Sequence, residues 1–235
     1  NAVLDARQYI PCSFQSQECK FKRNNFSSHM NILAIETAST ICGAALFLDN
    51  KLVELDEINQ PRIHGERLPL VVHDLLLNHS MQVAELEGIA VSSGPGSYTG
   101  LRIGMSLAKG LAMAGNIPLI PVPTMEVMNR SISQNGVYWV LLHSHKNMVF
   151  SQRFNSGKPD SVIECEPFEP EKYIPRFGFN LDSICKPGDY KLAPMSAKFV
   201  GELALQNFDK WANIDLSQIT PNYVTSFNLG KVPEN

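Results

Sequence analysis

The chain has 235 residues, 44% of them hydrophobic and 18% charged, with a formal net charge of −3. That is room for one large domain or two small ones, with no electrostatic bias toward nucleic acid or an anionic membrane, and no apolar run approaches the roughly 18 residues of a membrane-spanning helix. The five cysteines, Cys12, Cys19, Cys42, Cys165 and Cys185, form no CxxC pair; an odd, scattered set fits reduced thiols, so a cytoplasmic protein is expected.

Residues 1–29 show no sustained period and no signal-peptide apolar core, and read as a tag, an upstream extension or a disordered arm. Regular patterning begins after Met30. Residues 31–37 and 42–48 form two short apolar strands, and Asp49-Asn50 is a turn signal that leads into a third strand at 51–55. Pro61 ends that meander. From His64 to about His79, Leu68, Val71, Val72, Leu75 and Leu76 recur at steps of three and four, which predicts an amphipathic helix. Leu70 and Leu77 lie off that stripe and hint at a second apolar face. A strand at 88–92 comes next, then a glycine-rich loop, a segment at 105–112 that reads as a helix, and a strand at 117–122 whose prolines suit a sheet edge or a strand end.

Past residue 135 a second unit begins. Strands are predicted at 137–142, 148–154 and 161–166; residues 167–193, rich in Pro, Gly and Asp, read as mostly irregular. Residues 194–211 predict a helix with Phe199, Val200, Leu203, Ala204, Phe208 and Trp211 on one face. The whole predicts two related α/β lobes, 30–135 and 136–235, preceded by the arm 1–29.

The loop SSGPGSYTGLRIG, residues 92–104, is the least ordinary segment. Glycines at a strand-to-helix junction admit close backbone approach, and a helix N-terminus presents amide donors and partial positive charge. Gly94, Gly96, Ser97, Tyr98, Thr99, Gly100 and Arg102 therefore form a candidate anion or phosphate cradle. The competing reading is that the glycines serve strand–helix packing. The spacing is neither GxxxxGK[ST] nor GxGxxG. Ser39 and Thr40, in the first turn, read as turn- and strand-capping residues, and a phosphate-proximal place for them is implied only by the family resemblance that follows. Glu36, at the end of the first strand, reads as a structural or ligand-proximal acid. His73 and His79 are six apart and cannot share a helix face as a metal pair would. His143 and His145 are two apart on a strand and share a face, but no third ligand is evident.

The run GPGSYTGLRIGMSLAKGLA is highly similar to the signature GPGSFTGLRIG…AKGLA of the TsaB family, also called YeaZ. MNILAIETAST at 30–40 resembles the family's opening, His64-Gly65-Glu66-Arg67-Leu68 resembles its H-S-E-R-L segment, and Pro123-Thr124 also fits. The resemblance covers roughly residues 30–130. In the second half the family strand D-A-R-x-x-E-V-Y is replaced by His143-Ser144-His145-Lys146-Asn147-Met148-Val149-Phe150, so its Asp, Arg and Glu are lost, while Pro221-Asn222-Tyr223-Val224 resembles the family's P-x-Y-L ending.

The resemblance implies the actin-like, sugar-kinase-like (ASKHA, RNase H-like) fold. It also implies a role as the non-catalytic partner of TsaD, the paralogue that transfers a threonylcarbamoyl group to adenosine 37 of tRNA. TsaE, an ATPase, joins the assembly, TsaC supplies threonylcarbamoyl-adenylate, and tRNA is reached through the complex. The partner surface implied lies on the first helix, at Glu66, Leu70, His73 and Leu77, and on the helix after the loop, at Met105 and Lys109; without TsaD the same helices would form a homodimer. No tightly bound cofactor or metal is implied, and ATP or ADP is the ligand expected at the partner interface. The alternative reading is an independent ATPase or phosphotransferase, or an M22-type glycoprotease. The absence of an H-x-x-x-H pair counts against the protease.

Overall fold

The computed structural model describes residues 29–167, 169, 173–186 and 188–224. The segment 1–28, most of the expected arm, lies outside the described residues. Apolar runs that alternate between two covered faces build the first sheet. Strands β1 (Ile32–Glu36), β2 (Ile41–Leu48) and β3 (Lys51–Asn59) form the expected antiparallel meander. Asp49 and Asn50 turn the chain with φ of 52° and 65°, a left-handed pair that short polar side chains tolerate. β3 runs four residues beyond the predicted 51–55. It is an edge strand, so Asp56 and Glu57 are compatible with it, and their polarity hid the continuation.

Helix α1 (His64–Asn78) follows, then a short 3₁₀ turn, β4 (Gly88–Ser92), α2 (Tyr98–Gly115), β5 (Leu119–Val122) and α3 (Thr124–Asn129). β1, β4 and β5 are parallel, which gives the order β3-β2-β1-β4-β5. The proline-bearing β5 is at the edge, as its composition requires. α3 was not foreseen: six residues are too few to show a period.

The second sheet has the order β11-β10-β6-β7-β8. β6 (Val137–His145) and β7 (Met148–Asn155) are its antiparallel centre. β8 (Lys158–Pro159) and β9 (Glu164–Pro167) both pair with β7, so the predicted 161–166 strand starts three residues late. The stretch expected to be irregular contains β10 (Arg176–Phe179), parallel to β6, and β11 (Lys191–Leu192) beside it. Four residues of RFGF carry too little alternation to announce a strand.

The chain ends its regular structure in α4 (Ala197–Gln206) and α5 (Phe208–Trp211), separated at Asn207 where one helix was predicted. Ser196 caps α4 by accepting from the Lys198 amide at 3.1 Å.

Packing divides into layers. α1 and α2 cover one face of the first sheet, where Leu68, Val71, Leu75 and Met105 meet Leu33, Ile35, Leu46, Ile89 and Val91. The other face carries Ile32, Ala34, Ala45, Phe47 and Ala90, and these pack on Ala197, Val200, Leu203, Ala204 and Phe208 of α4 and α5. The boundary expected at 135/136 thus separates the two sheets, but not two self-contained lobes, because the last helices return to the first sheet. Glu57 of β3 fastens that return: its Oε1 accepts from the Ala197 amide at 2.5 Å and its Oε2 from the Ser196 hydroxyl at 3.1 Å. A third core joins the sheets, with Ala38, Leu101, Met125 and Met128 against Tyr138, Val140, Leu142, Phe150, Phe154 and Phe177. No described helix is long and apolar enough to cross a membrane.

Candidate functional site

A cleft of about 830 Å³ opens where the two sheets meet. The first turn supplies Ala38, Ser39 and Thr40, the glycine loop supplies Gly96 to Gly100, and the segment before and into α1 supplies Arg62, His64 and Gly65. The second sheet contributes Leu142 to His145, Phe150 and Asn180, and the chain's late segment adds Asn222, Tyr223 and Val224. Of the residues predicted for the phosphate site, Ser39, Thr40, Gly96, Ser97, Tyr98, Thr99 and Gly100 line this cleft, and Gly94 and Arg102 do not. Thr40 stitches the walls: its hydroxyl donates to Asn59 Oδ1 at 2.7 Å and accepts from Asn180 Nδ2 at 3.2 Å.

The loop itself is organised chiefly for packing. Gly94 adopts φ of +108°, and a Cβ there would lie 2.5 Å from the Asn222 carbonyl oxygen, so only glycine fits. A Cβ on Gly100 would fall well inside contact distance of the Thr37 carbonyl oxygen, and one on Gly96 would strike Ala38. Several amides that could have held an anion have protein acceptors. Ser93 N donates to Val122 O (2.8 Å), Gly94 N to Thr124 Oγ1 (3.0 Å), Ser97 N to Ala38 O (2.7 Å) and Gly100 N to Ser97 Oγ (3.2 Å). The phosphate cradle expected at these amides is thus largely committed to internal bonds, because the loop must bind the first turn, α3 and the late segment together.

Arg102 departs from its expected place. It does not line the cleft; its guanidinium donates to the Tyr98 hydroxyl at 3.1 Å and lies over that ring at 5.3 Å. Four residues apart on one helix, the two side chains are neighbours on its surface. Tyr98 in turn packs on Tyr223 with ring centroids 5.0 Å apart. The late segment is held to the loop by a backbone bond from Asn222 N to Ser93 O at 2.7 Å. Its role in the cleft was not legible locally, since nothing in P-N-Y-V states where the chain has returned.

Beneath the first turn, Glu36 is fully buried. Its Oε1 accepts from the Ala38 amide at 2.6 Å and its Oε2 accepts from the Ser92 hydroxyl. Burial pushes its carboxyl up to about 7; the bonds from Ser92 and Ala38 pull the other way, and nearby Glu57 adds to the rise. Burial also raises Glu57, against the bonds from Ala197 and Ser196. A carboxyl bonded this way orients the turn that forms one wall of the cleft.

On the opposite wall, His143 and His145 flank a register slip against β7. His143 Nε2 lies 3.0 Å from the Lys146 carbonyl oxygen, and His145 Nδ1 lies 3.0 Å from the Ser144 hydroxyl. A carbonyl only accepts, so Nε2 of His143 carries a proton. The histidines of α1 and its C-cap turn to acids or backbone: His73 to Asp74 at 3.1 Å, His79 to Glu54 at 2.8 Å, and buried His64 to the Ile41 carbonyl oxygen at 3.0 Å. Among the described residues no group of three His, Cys, Asp or Glu is arranged to hold a metal ion.

On the outside of the first sheet, α1 and α2 lie side by side. Leu70 is 51% and Leu77 65% exposed, with Glu66 and His73 also exposed on α1. On α2, Met113 is 73% exposed and Lys109 is half-buried. Met105, expected on this surface, is instead 3% exposed and belongs to the core under the helix. It falls on the same stripe as Leu101, Ala108 and Ala112, the face that packs on the sheet.

The family model described as TsaD, tRNA N6-adenosine threonylcarbamoyltransferase, matches residues 58–201. Over 113 residues the chain is 37% identical to the tRNA threonylcarbamoyladenosine biosynthesis protein TsaB of Escherichia coli (strain K12), a match covering 48% of each chain. It is 38% identical over 99 residues to the protein of the same name from Bacillus subtilis (strain 168), covering 42% of this chain and 43% of the relative. Those matches span about half the length of the curated relatives. The fold is similar to that of YeaZ from Pseudomonas aeruginosa, with a TM-score of 0.65 at 21% identity, covering 83% of this chain and 99% of that one.

Proposed function

Since the chain belongs to the family described by the tRNA N6-adenosine threonylcarbamoyltransferase model, and within it to the TsaB (YeaZ) proteins, we propose that it is a non-catalytic subunit that binds and activates TsaD for threonylcarbamoyl transfer to adenosine 37 of tRNA. The observation that carries this reading is the outer face of α1. That helix buries Leu68, Val71, Val72, Leu75 and Leu76 against its own sheet and leaves Leu70 and Leu77 largely exposed beside α2. Leucines seven residues apart project on nearly the same side, two turns from each other. A helix apolar on a second side calls for a second partner. In this reading TsaE joins the assembly, ATP or ADP binds at the partner interface, tRNA is reached through the complex, and the same helices form a homodimer when TsaD is absent.

The test is the double variant Leu70→Lys, Leu77→Lys. Full burial of a leucine is worth roughly 1.5–3 kcal/mol. With half to two thirds of each side chain still open in the monomer, about 1–2 kcal/mol per leucine remains to be gained at an interface. The variant should fold as the wild type does and bind purified TsaD more than about tenfold more weakly, with loss of tRNA modification. Normal TsaD binding by the folded variant would place the interface elsewhere.

A further inference from the structure

The second sheet turns Tyr138, Val140, Leu142, Phe150 and Phe154 toward the core that joins the sheets, and strand residues alternate between faces. Its other face carries Trp139, Leu141 and Val149. Leu181 and Cys185 pack on Leu141 and Val149, but this cover stops short of β9. A groove of about 380 Å³ lies there, floored by Trp139, Leu141 and Val149 and bounded by Glu164 and Glu166 of β9, with Glu169 beyond them; none of residues 181–190 lines it.

The glutamates set the chemistry of this groove. Glu164 and Glu166 are exposed, and as alternate residues of a strand they stand on one face about 7 Å apart. Neither they nor Glu169 enter a hydrogen bond or ion pair among the described residues. Against three carboxylates the described lining sets one cation, Arg176. β9 pairs with β7 along one edge, and its other edge pairs with no strand among the described residues.

A sheet edge is a template for a further extended segment. Opposite charges across such a pair stabilise it, and like charges destabilise it. This edge therefore refuses a second copy of β9, glutamate against glutamate, and accepts a segment with Lys or Arg at alternate positions. The long stems of those side chains suit the apolar floor while their charged ends meet the carboxylates. We propose that β9 and its groove dock an extended basic segment of a partner protein, with Lys or Arg at alternate positions opposite Glu164 and Glu166. The surface shares no residue with the α1–α2 face. It lies on the other side of the second sheet from the cleft, where Leu142 and Phe150 point.

The probe is a capped peptide of alternating lysine and valine, compared with one of alternating glutamate and valine and with spermidine. Trp211→Phe leaves Trp139, in the groove, as the chain's one tryptophan, and its emission reports occupancy; calorimetry on the wild-type chain measures the affinity without that change. The basic peptide should bind saturably, change Trp139 emission and be released by molar salt. The acidic peptide should not bind, and spermidine, which has no backbone to extend the sheet, should bind about tenfold more weakly or worse. Glu164→Gln with Glu166→Gln, checked for wild-type thermal unfolding, should weaken the basic peptide about fivefold or more, the scale of two exposed ion pairs. No binding, equal binding of the acidic peptide, spermidine as tight as the basic peptide, or an unchanged affinity in the folded double variant would overturn the proposal.

Discussion

Glu36→Gln tests how the first turn is held. The carboxyl is fully buried between the Ala38 amide and the Ser92 hydroxyl, and burial raises it from the usual 4.5 to about 7. The folded chain therefore holds this proton more tightly than the unfolded chain does. As far as this group is concerned, stability is fully present below pH 4.5, falls as the pH rises toward 7, and levels off above it. The gap between 4.5 and about 7, at 1.36 kcal/mol per pH unit, amounts to about 3 kcal/mol. Glutamine keeps the shape, accepts from Ala38 and can donate to Ser92 Oγ, but cannot ionise. Urea unfolding of wild type and variant at pH 5 and pH 8 measures the effect. The variant should gain on the wild type by about 2.5 kcal/mol between those values, because part of the full change has already occurred at pH 5. Because Glu57 is also raised, the wild-type curve alone will fall with pH for two reasons, and the difference between the proteins isolates Glu36. An equal gap at both pH values would refute the reasoning and mean that Glu36 is ionised in the fold throughout.

Three further outcomes follow from the packing. Gly104→Ala drives a methyl into the Thr37 side chain beneath α2 and should cost about 1–3 kcal/mol in urea unfolding; an unchanged midpoint would show that α2 can shift. A fragment of residues 30–135 lacks α4 and α5 and leaves Ile32, Ala34, Ala45, Phe47 and Ala90 uncovered; it should bind a hydrophobic dye and melt without cooperativity, and a sharp thermal transition would show that the first lobe stands alone. Arg102→Ala should leave nucleotide affinity in the complex with TsaD unchanged, since the guanidinium engages Tyr98 outside the cleft; a tenfold loss, about 1.4 kcal/mol, would place that side chain in the site.

The sequence by itself determined those elements whose signal is local and repeated. The stripe of Leu68, Val71, Val72, Leu75 and Leu76 specified α1, and Asp49-Asn50 specified the first hairpin, because periodicity and turn chemistry act between near neighbours. The glycine loop stood out for the same reason, and it does form one wall of the cleft. Its use did not follow. Whether Gly96 and Gly100 face a ligand or a backbone depends on what lies across from them, and the structure puts the first turn there, at Ala38 and Thr37. Met105 and Arg102 are separated by three positions on one helix, and only the packed sheet below decides that one is core and the other surface. β10 was lost in an irregular stretch because its pairing with β6 joins residues about 37 apart in sequence, as in Arg176 with Trp139. The largest correction has the same cause. Residues 197–211 have a legible apolar face, but an amphipathic helix does not name its partner, since burial is non-directional and any apolar surface of the right shape serves. Tertiary structure alone decided that this face closes the first sheet, with Glu57 holding its N-terminus, and that residues 222–224 come back to line the cleft.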